Sequence, residues 1–375
     1  MEKHLHIICF TVPYPVTYGG VFDLFYKLET LYKQGIQIHL HCFVYNKMQE
    51  QNELAKYCAT VNYYKRNKSF SALLNNLPFI VFTRKNKTLL NNLLQDEYPI
   101  LMEGIHCSYL VTDNQFAKRK KFIRLHNIES TYYAELAKAE KNLFKKWYYK
   151  RESRLLKKYE PFIKNKVDSF ICVSQKDEET LLELGFTNTN YVPVFLPNWQ
   201  INYSTESEVY CLYHGDLSVV TNQQTVLWLY ENIFKKINTQ FIIAGKNPTQ
   251  KIKSISNNSP NIKVIANPSE VEMQKLIANA HINIIYAESI TGIKLKLLNA
   301  LFNGKHCVTN ALTIAKTNLD ALCKIADTAE EMRNMIETLL TQPFTNEERK
   351  LRKEILQEIF NNEKSAQKLS SIIWR

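Results

Sequence analysis

The 375-residue chain carries a net charge of +12, and its length favours two domains over one core. With 45% hydrophobic and 12% aromatic residues it can bury a core, which excludes a globally disordered chain. The basic balance favours polyanionic partners (phosphate-bearing small molecules, an anionic membrane surface, nucleic acid), and eight scattered cysteines without a CxxC pair fit a reducing cytoplasm better than a disulfide framework or a zinc site.

In chain order, the first apolar run, "LHIICFTV", reads as a strand buried on both faces. It is too short, and too soon followed by prolines, for a signal peptide or a membrane span. The turn-rich "PYPVTYGG" follows, then "VFDLFYKLETLYKQG" with apolar residues at helical spacing and Gly35 as a C-terminal cap. "IQIHLHCFVY" completes a βαβ unit opening a parallel sheet. Further strands are expected at "YPILMEG", "KKFIRLHN" and "DSFICVS". A second alternation starts near residue 208: "EVYCLYHG", "TQFIIAG", "NIKVIAN", "HINIIYAE" and "HCVTN" as strands, interleaved with helices such as "GIKLKLLNALFNG". The proline-containing "NYVPVFLPNWQINYSTESE" between the two alternations reads as a linker. A last helix is expected from "TNEERKLRKEILQEIF" to the C-terminus, with Thr345 and Glu348 at capping-box spacing.

Ligand chemistry in open α/β sheets collects at the carboxyl ends of the strands. Lys294 and Lys296 sit where the helix after "HINIIYAE" begins, a place where a cation disfavours the helix unless an anion binds there. Gly19 and Gly20 would let backbone approach a ligand, although the spacing is not a dinucleotide fingerprint. "IRLHNIES" puts His126, Asn127 and Glu129 after a strand, and "LMEGIHCSY" does the same for Glu103 and His106; these groups could meet hydroxyls or act as acid and base. "KNLFKKWYYKRESRLLKKYE" is basic and aromatic, and with "AKRKK" suggests a patch facing an anionic membrane. No nucleic-acid module is recognisable. No GxSxG, HExxH, Walker A or Cys/His metal cluster occurs.

Taken together, the motifs resemble those of the large retaining group of GT-B glycosyltransferases that includes phosphatidylinositol mannosyltransferases and many polysaccharide enzymes. "VPYPVTYGG" resembles the group's N-terminal glycine loop, "LHN" its sugar-contacting histidine loop, and "YHGDLSVVTN" and "IIAGKNP" the first strands of its donor domain. "GIKLKLLNALFNGKHCVTN" resembles its donor-binding segment. The sequence departs from the group where Asp216 and the Thr221–Asn222 pair stand in place of an arginine and a lysine. Asn299 stands in place of the ribose-holding glutamate, and Gly292 in place of an acidic residue.

The resemblance implies an α/β GT-B fold, two doubly wound parallel-sheet Rossmann-like domains facing a central cleft. Residues 1–198 would form the acceptor-side domain, 199–345 the donor domain, and 346–375 a helix crossing back to the first. It implies a hexosyl transfer from a nucleotide-diphosphate sugar to a hydroxyl of a glycan or lipid-linked glycan, with retention, without metal or cofactor. His126 would be the catalytic residue. Gly19, Gly20, Lys246, Gly292, Ile293, Lys294, Leu295, Lys296 and Asn299 would bind the donor; Glu103, His106, Asn127 and Glu129 the acceptor. Expected partners are the nucleotide sugar, the glycan acceptor and an anionic membrane surface, not nucleic acid, for a cytoplasmic protein peripheral to the membrane. A non-catalytic nucleotide-sugar-binding subunit and a nucleotide-sugar epimerase are the alternatives.

Overall fold

The structure, a computed structural model, describes residues 2–16, 19–44, 50–67, 75–199, 201, 208–288, 293–315 and 317–375. Two compact units emerge, Met1–Pro197 with Phe360–Arg375, and Asn198–Ile359.

The first unit is built on seven parallel strands: β1 (His4–Cys9), β2 (Gln37–Val44), β3 (Thr60–Lys65), β4 (Ile100–Glu103), β5 (Lys121–Leu125), β6 (Ser169–Cys172) and β7 (Thr189–Tyr191). They lie in the order β3-β2-β1-β4-β5-β6-β7. Every residue of β4, β5 and β6 is buried, as expected of strands covered on both faces. Successive residues point to opposite faces: Ile7 joins the core that contains Leu24, Leu28 and Leu31, while Ile8 joins the other, with Met102 and Ile123. Its main helices are α1 (Gly19–Lys33), α2 (Glu129–Ala139), α3 (Leu143–Ile163) and α4 (Gln175–Glu183). The strand order reverses direction between β1 and β4, so the loops after these two strands flank the natural ligand crevice of such a sheet.

The second unit repeats the scheme with β8 (Glu208–Asp216), β9 (Gln240–Lys246), β10 (Ile262–Ala266), β11 (Ala280–Ile285), β12 (His306–Thr309) and β13 (Lys324–Ile325). Their order is β10-β9-β8-β11-β12-β13, with the reversal between β8 and β11. The helices are α5 (Val220–Leu229), α6 (Glu270–Asn279), α7 (Leu295–Asn303) and α8 (Ala329–Leu340). Both α6 and α8 start at complete capping boxes, Ser269 with Glu272 and Thr328 with Glu331.

The C-terminal pattern resolves into two helices rather than one, α9 (Asn346–Ile359) and α10 (Asn362–Ile373). Asn361 restarts the chain as an N-cap, accepting from the Lys364 N–H. Helix α9 stays in the second unit, and α10 belongs to the first. There Ala366, Leu369 and Ile373 share a core with α1, and Asn362 makes paired hydrogen bonds of 3.0 and 2.7 Å with the Leu196 backbone. Three strands have no counterpart in the sequence reading: β3, β7 and β13, all at sheet margins, where one edge is unpaired and the apolar signal is weak. Among the described residues no helix is long and apolar enough to cross a membrane.

Candidate functional site

In the first unit a chain of buried charges runs beneath the carboxyl ends of β4 and β5. Helix α1 supplies Asp23 and Lys27 one turn apart, β4 ends in Glu103, and β5 contributes Arg124 and leads into His126. Arg124 grips Asp23 with two bonds, Nε to Oδ2 at 2.6 Å and Nη2 to Oδ1 at 2.7 Å, the bidentate geometry that only a guanidinium offers. Lys27 Nζ sits 3.1 Å from Asp23 and 2.6 Å from Glu103 Oε1. Glu103 Oε2 in turn lies 3.1 Å from His126 Nε2.

Burial alone would push both carboxyls up, but the neighbouring cations win. Arg124 and Lys27 hold Asp23 well below the usual carboxylate range, and Lys27 and then His126 hold Glu103 down. Two carboxylates thus face two permanent cations, which keeps the buried cluster balanced. Ligand atoms of Asp23, Glu103 and His126 come within 4.8 Å of one another. A metal ion there would have to displace Lys27 or Arg124 from those carboxylates, so the donor set suits a proton-ordering network better than a cation site.

Phe10, in the loop after β1, packs its ring against both His106 (centroids 5.2 Å apart) and His126 (5.8 Å). Burial, and after it Arg84, push His106 well below the ordinary imidazole range, so it is neutral. Gly104 has φ +72°, a left-handed conformation, and an added Cβ would meet His106 Nδ1 at 2.8 Å; glycine lets β4 turn straight into the His106 segment. Asn127 follows His126, half-buried. Glu129, the first residue of α2, is buried, and burial followed by Glu160 raises its carboxyl to about 8. Gly19 opens α1 and Gly20 lies in its first turn.

In the second unit the feature at the reversal point is the start of α7. Lys294 is the N-cap residue, Ile293 precedes it, and Leu295 and Lys296 begin the helix; Gly292 lies outside the described residues. Lys296 Nζ stands 4.6 Å from the centroid of the Tyr213 ring and 3.3 Å from its hydroxyl. Among the described residues it pairs with no carboxylate. Burial, and then Lys294, depress it to about 8. Beside it, burial and then Lys296 lower His214 to about 3, and the buried His214 Nε2 is without a hydrogen-bond partner. Asn299 Oδ1 accepts from Asn303 Nδ2 at 2.7 Å, one turn along α7. Asp216 caps its own turn, accepting from the Ser218 N–H and hydroxyl, and the exposed Lys246 stands opposite it in register.

The structure therefore brings Glu103, His106 and His126 together in one unit, and Lys294, Lys296 and Asn299 onto one helix in the other. Sequence reading missed Asp23, Lys27 and Arg124. Their signal was present: an acid and a base at i, i+4 on an apolar helix, and an arginine inside a buried strand.

Residues 208–342 match the family model described as Glycosyl transferases group 1. A relative 27% identical over 318 residues, covering 80% of this chain and 81% of its own, is an uncharacterised 44.6 kDa protein in the cps region of Klebsiella pneumoniae. Among solved structures, TarM is similar over 100% of this chain and 99% of its own, with a TM-score of 0.71 at 11% identity. HepE of Anabaena in complex with UDP and glucose is similar over 98% of both chains, with a TM-score of 0.64 at 11% identity. The two parallel-sheet units and these likenesses establish the GT-B fold expected from the sequence.

Proposed function

From the premise that the chain is a GT-B glycosyltransferase with a group 1 domain over residues 208–342, we propose that it moves a sugar from a nucleotide-diphosphate donor to a glycan or lipid-linked glycan hydroxyl. Retention of configuration and independence from metal are part of the proposal. The observation that carries it is Lys296, a half-buried cation at a helix start with no carboxylate partner among the described residues. A diphosphate would supply the missing negative charge and draw further stabilisation from the N–H groups of α7. The titles of similar structures support this donor class: HepE holds UDP and glucose, and S. aureus TarM holds UDP with a glycan-derived ligand. The relative from a capsule (cps) region supports a surface polysaccharide as acceptor.

In the reaction proposed, the bond between the anomeric carbon and the diphosphate oxygen breaks as the acceptor oxygen bonds to the same face of that carbon. The acceptor proton passes to the departing diphosphate oxygen. Lys294 and Lys296 stabilise the charge that develops there, a preorganised electrostatic contribution. On the sugar side, His126 would orient a hydroxyl through its Nδ1, because Nε2 is committed to Glu103. His106, Asn127 and the first turn of α1 at Gly19 and Gly20 are assigned to acceptor and diphosphate contacts. Asn299 would meet the ribose as a neutral amide, a weaker grip than a carboxylate gives.

Thermal shift with UDP, GDP and their sugars tests the donor site, and Lys294→Ala with Lys296→Ala should abolish any stabilisation. Turnover would then be followed as nucleotide release with a polysaccharide or lipid-linked acceptor, with and without EDTA, and the product anomer read by NMR. No stabilisation by any nucleotide sugar would overturn the proposal. Isomerised donor without transfer would point to an epimerase instead.

A further inference from the structure

Helices α2 and α3 form a hairpin whose turn, 140–142, is followed at once by the three most exposed apolar side chains of that region. Leu143, Phe144 and Trp147 are 80%, 86% and 58% exposed. Spaced i, i+1 and i+4, they share one side of the first turn of α3. Scattered exposed apolar residues are ordinary, but three bulky ones adjoining on a helix end form a patch that calls for a partner. The patch is held in place rather than frayed: Asn142 caps α3, accepting from the Phe144 and Lys145 N–H groups at 3.1 Å each. Behind it, Tyr133 packs edge-on against Tyr148 and Tyr149 and ties the two helices together.

The surroundings decide what kind of partner fits. From Lys138 to Lys158 the sequence holds nine lysines and arginines and only two carboxylates, Glu140 and Glu152. Glu152 is buried and accepts from the Phe79 and Ile80 N–H groups, so it does not offset the surface charge. Lys138, Lys141, Lys145 and Lys150 are exposed around the apolar tip. An apolar wedge containing tryptophan and ringed by lysines is complementary to an anionic bilayer: the rings enter the interface and the ammonium groups reach the headgroups.

We propose that the α2–α3 hairpin tip, through Leu143, Phe144 and Trp147 with the surrounding lysines, docks this protein on an anionic lipid surface. The inference stands on the exposure and charge of this hairpin and not on the transfer reading, and it is read out without any sugar donor. The full chain would be floated with vesicles of equal parts phosphatidylcholine and phosphatidylglycerol, and with phosphatidylcholine alone. Binding is expected only to the anionic vesicles and should weaken with salt.

Replacing Leu143, Phe144 and Trp147 together by serine should lower partitioning by more than about tenfold. Each of Lys141→Gln and Lys145→Gln should lower it by about fivefold. All five positions are exposed, so unchanged melting curves are expected and would separate lost docking from lost folding. Brominated lipid should quench tryptophan emission in the wild type and not in Trp147→Phe. Failure of the wild type to bind anionic vesicles, equal binding to both vesicle types, or undiminished binding of the serine variant would each overturn the proposal. So would a wild-type dimer, seen by light scattering, that the serine changes dissolve while lipid binding stays absent.

Discussion

Glu103 Oε2 stands 3.1 Å from His126 Nε2, at the edge where β4 and β5 run side by side. An ionised carboxylate can only accept, so the ring hydrogen must sit on Nε2 and Nδ1 carries the lone pair. Glu103 is wholly buried, and its other oxygen belongs to Lys27. It is thus a positioning residue for His126, and a role in meeting the acceptor directly is left to its neighbours.

Glu103→Gln keeps the shape but removes the charge that orients the ring. Its turnover number is expected to fall by about a hundredfold, the scale of a misplaced contact group, with little change in KM for the donor. The double variant with His126→Ala should be no slower than His126→Ala alone, because both changes remove one unit. Additive losses in a double-mutant cycle would show that Glu103 acts independently of His126.

Lys296 gives a pH signature to nucleotide binding. Its folded value of about 8 is low for a lysine, and a bound diphosphate must raise it. Binding therefore takes up a proton above pH 8, and the affinity for UDP should weaken there by up to about tenfold per pH unit. Calorimetry from pH 7 to 9.5 would measure this slope, and Lys296→Ala should bind weakly with no such slope. A flat profile in the wild type would remove Lys296 from the diphosphate site.

Glu129 makes an opposite kind of prediction, about stability. Its folded carboxyl is raised to about 8, by burial first and Glu160 second, against an unfolded value of about 4.3. The folded state therefore binds more protons between these values, and the stability this group contributes is complete below about pH 4.3 and lost as pH rises through 8. Glu129→Gln imitates the protonated form. It should match the wild type at pH 4.5 and be more stable at pH 8.5, by an amount on the order of 2–4 kcal/mol. Denaturant melts at the two pH values decide it, and an equal difference at both would place the carboxyl in the ordinary range.

The contrast between these groups shows what the chain discloses before it folds. The sheets were legible because "LHIICFTV", "FICVS" and "HINIIYAE" are continuous apolar runs, and the helix of Lys294 and Lys296 because two cations at its start break the usual charge pattern. Glu103 and His126 could be placed at strand ends, but their pairing could not be read, since it depends on β4 and β5 being neighbours across the sheet. Lys27 and Arg124 were hidden for the same reason: each looks like a surface residue until Asp23 is brought to both. The margin strands β3, β7 and β13 escaped because a half-paired edge needs little apolar sequence.

Arg352 links the second unit's last helix to the site helix. Its Nη1 donates to the carbonyls of Gly304 at 2.8 Å and Lys305 at 2.7 Å, just past the C-terminal end of α7. It also lies over the Phe344 ring at 4.5 Å. A cation at this end complements the helix dipole, whose opposite end is where Lys294 and Lys296 stand. Arg352→Met preserves much of the packing but leaves two buried carbonyls without their charged donor. A loss of about 2–3 kcal/mol is expected, the usual cost of removing a charge-assisted bond to buried groups. Because α7 carries the diphosphate lysines, UDP affinity should fall with it, whereas the first unit's His126 network should keep its hydrogen bonds. Urea melts and UDP titration of Arg352→Met and Arg352→Lys would test this. Full retention of stability and affinity in the methionine variant would show that α7 is held by its apolar face alone, through Leu297, Leu298 and Leu301.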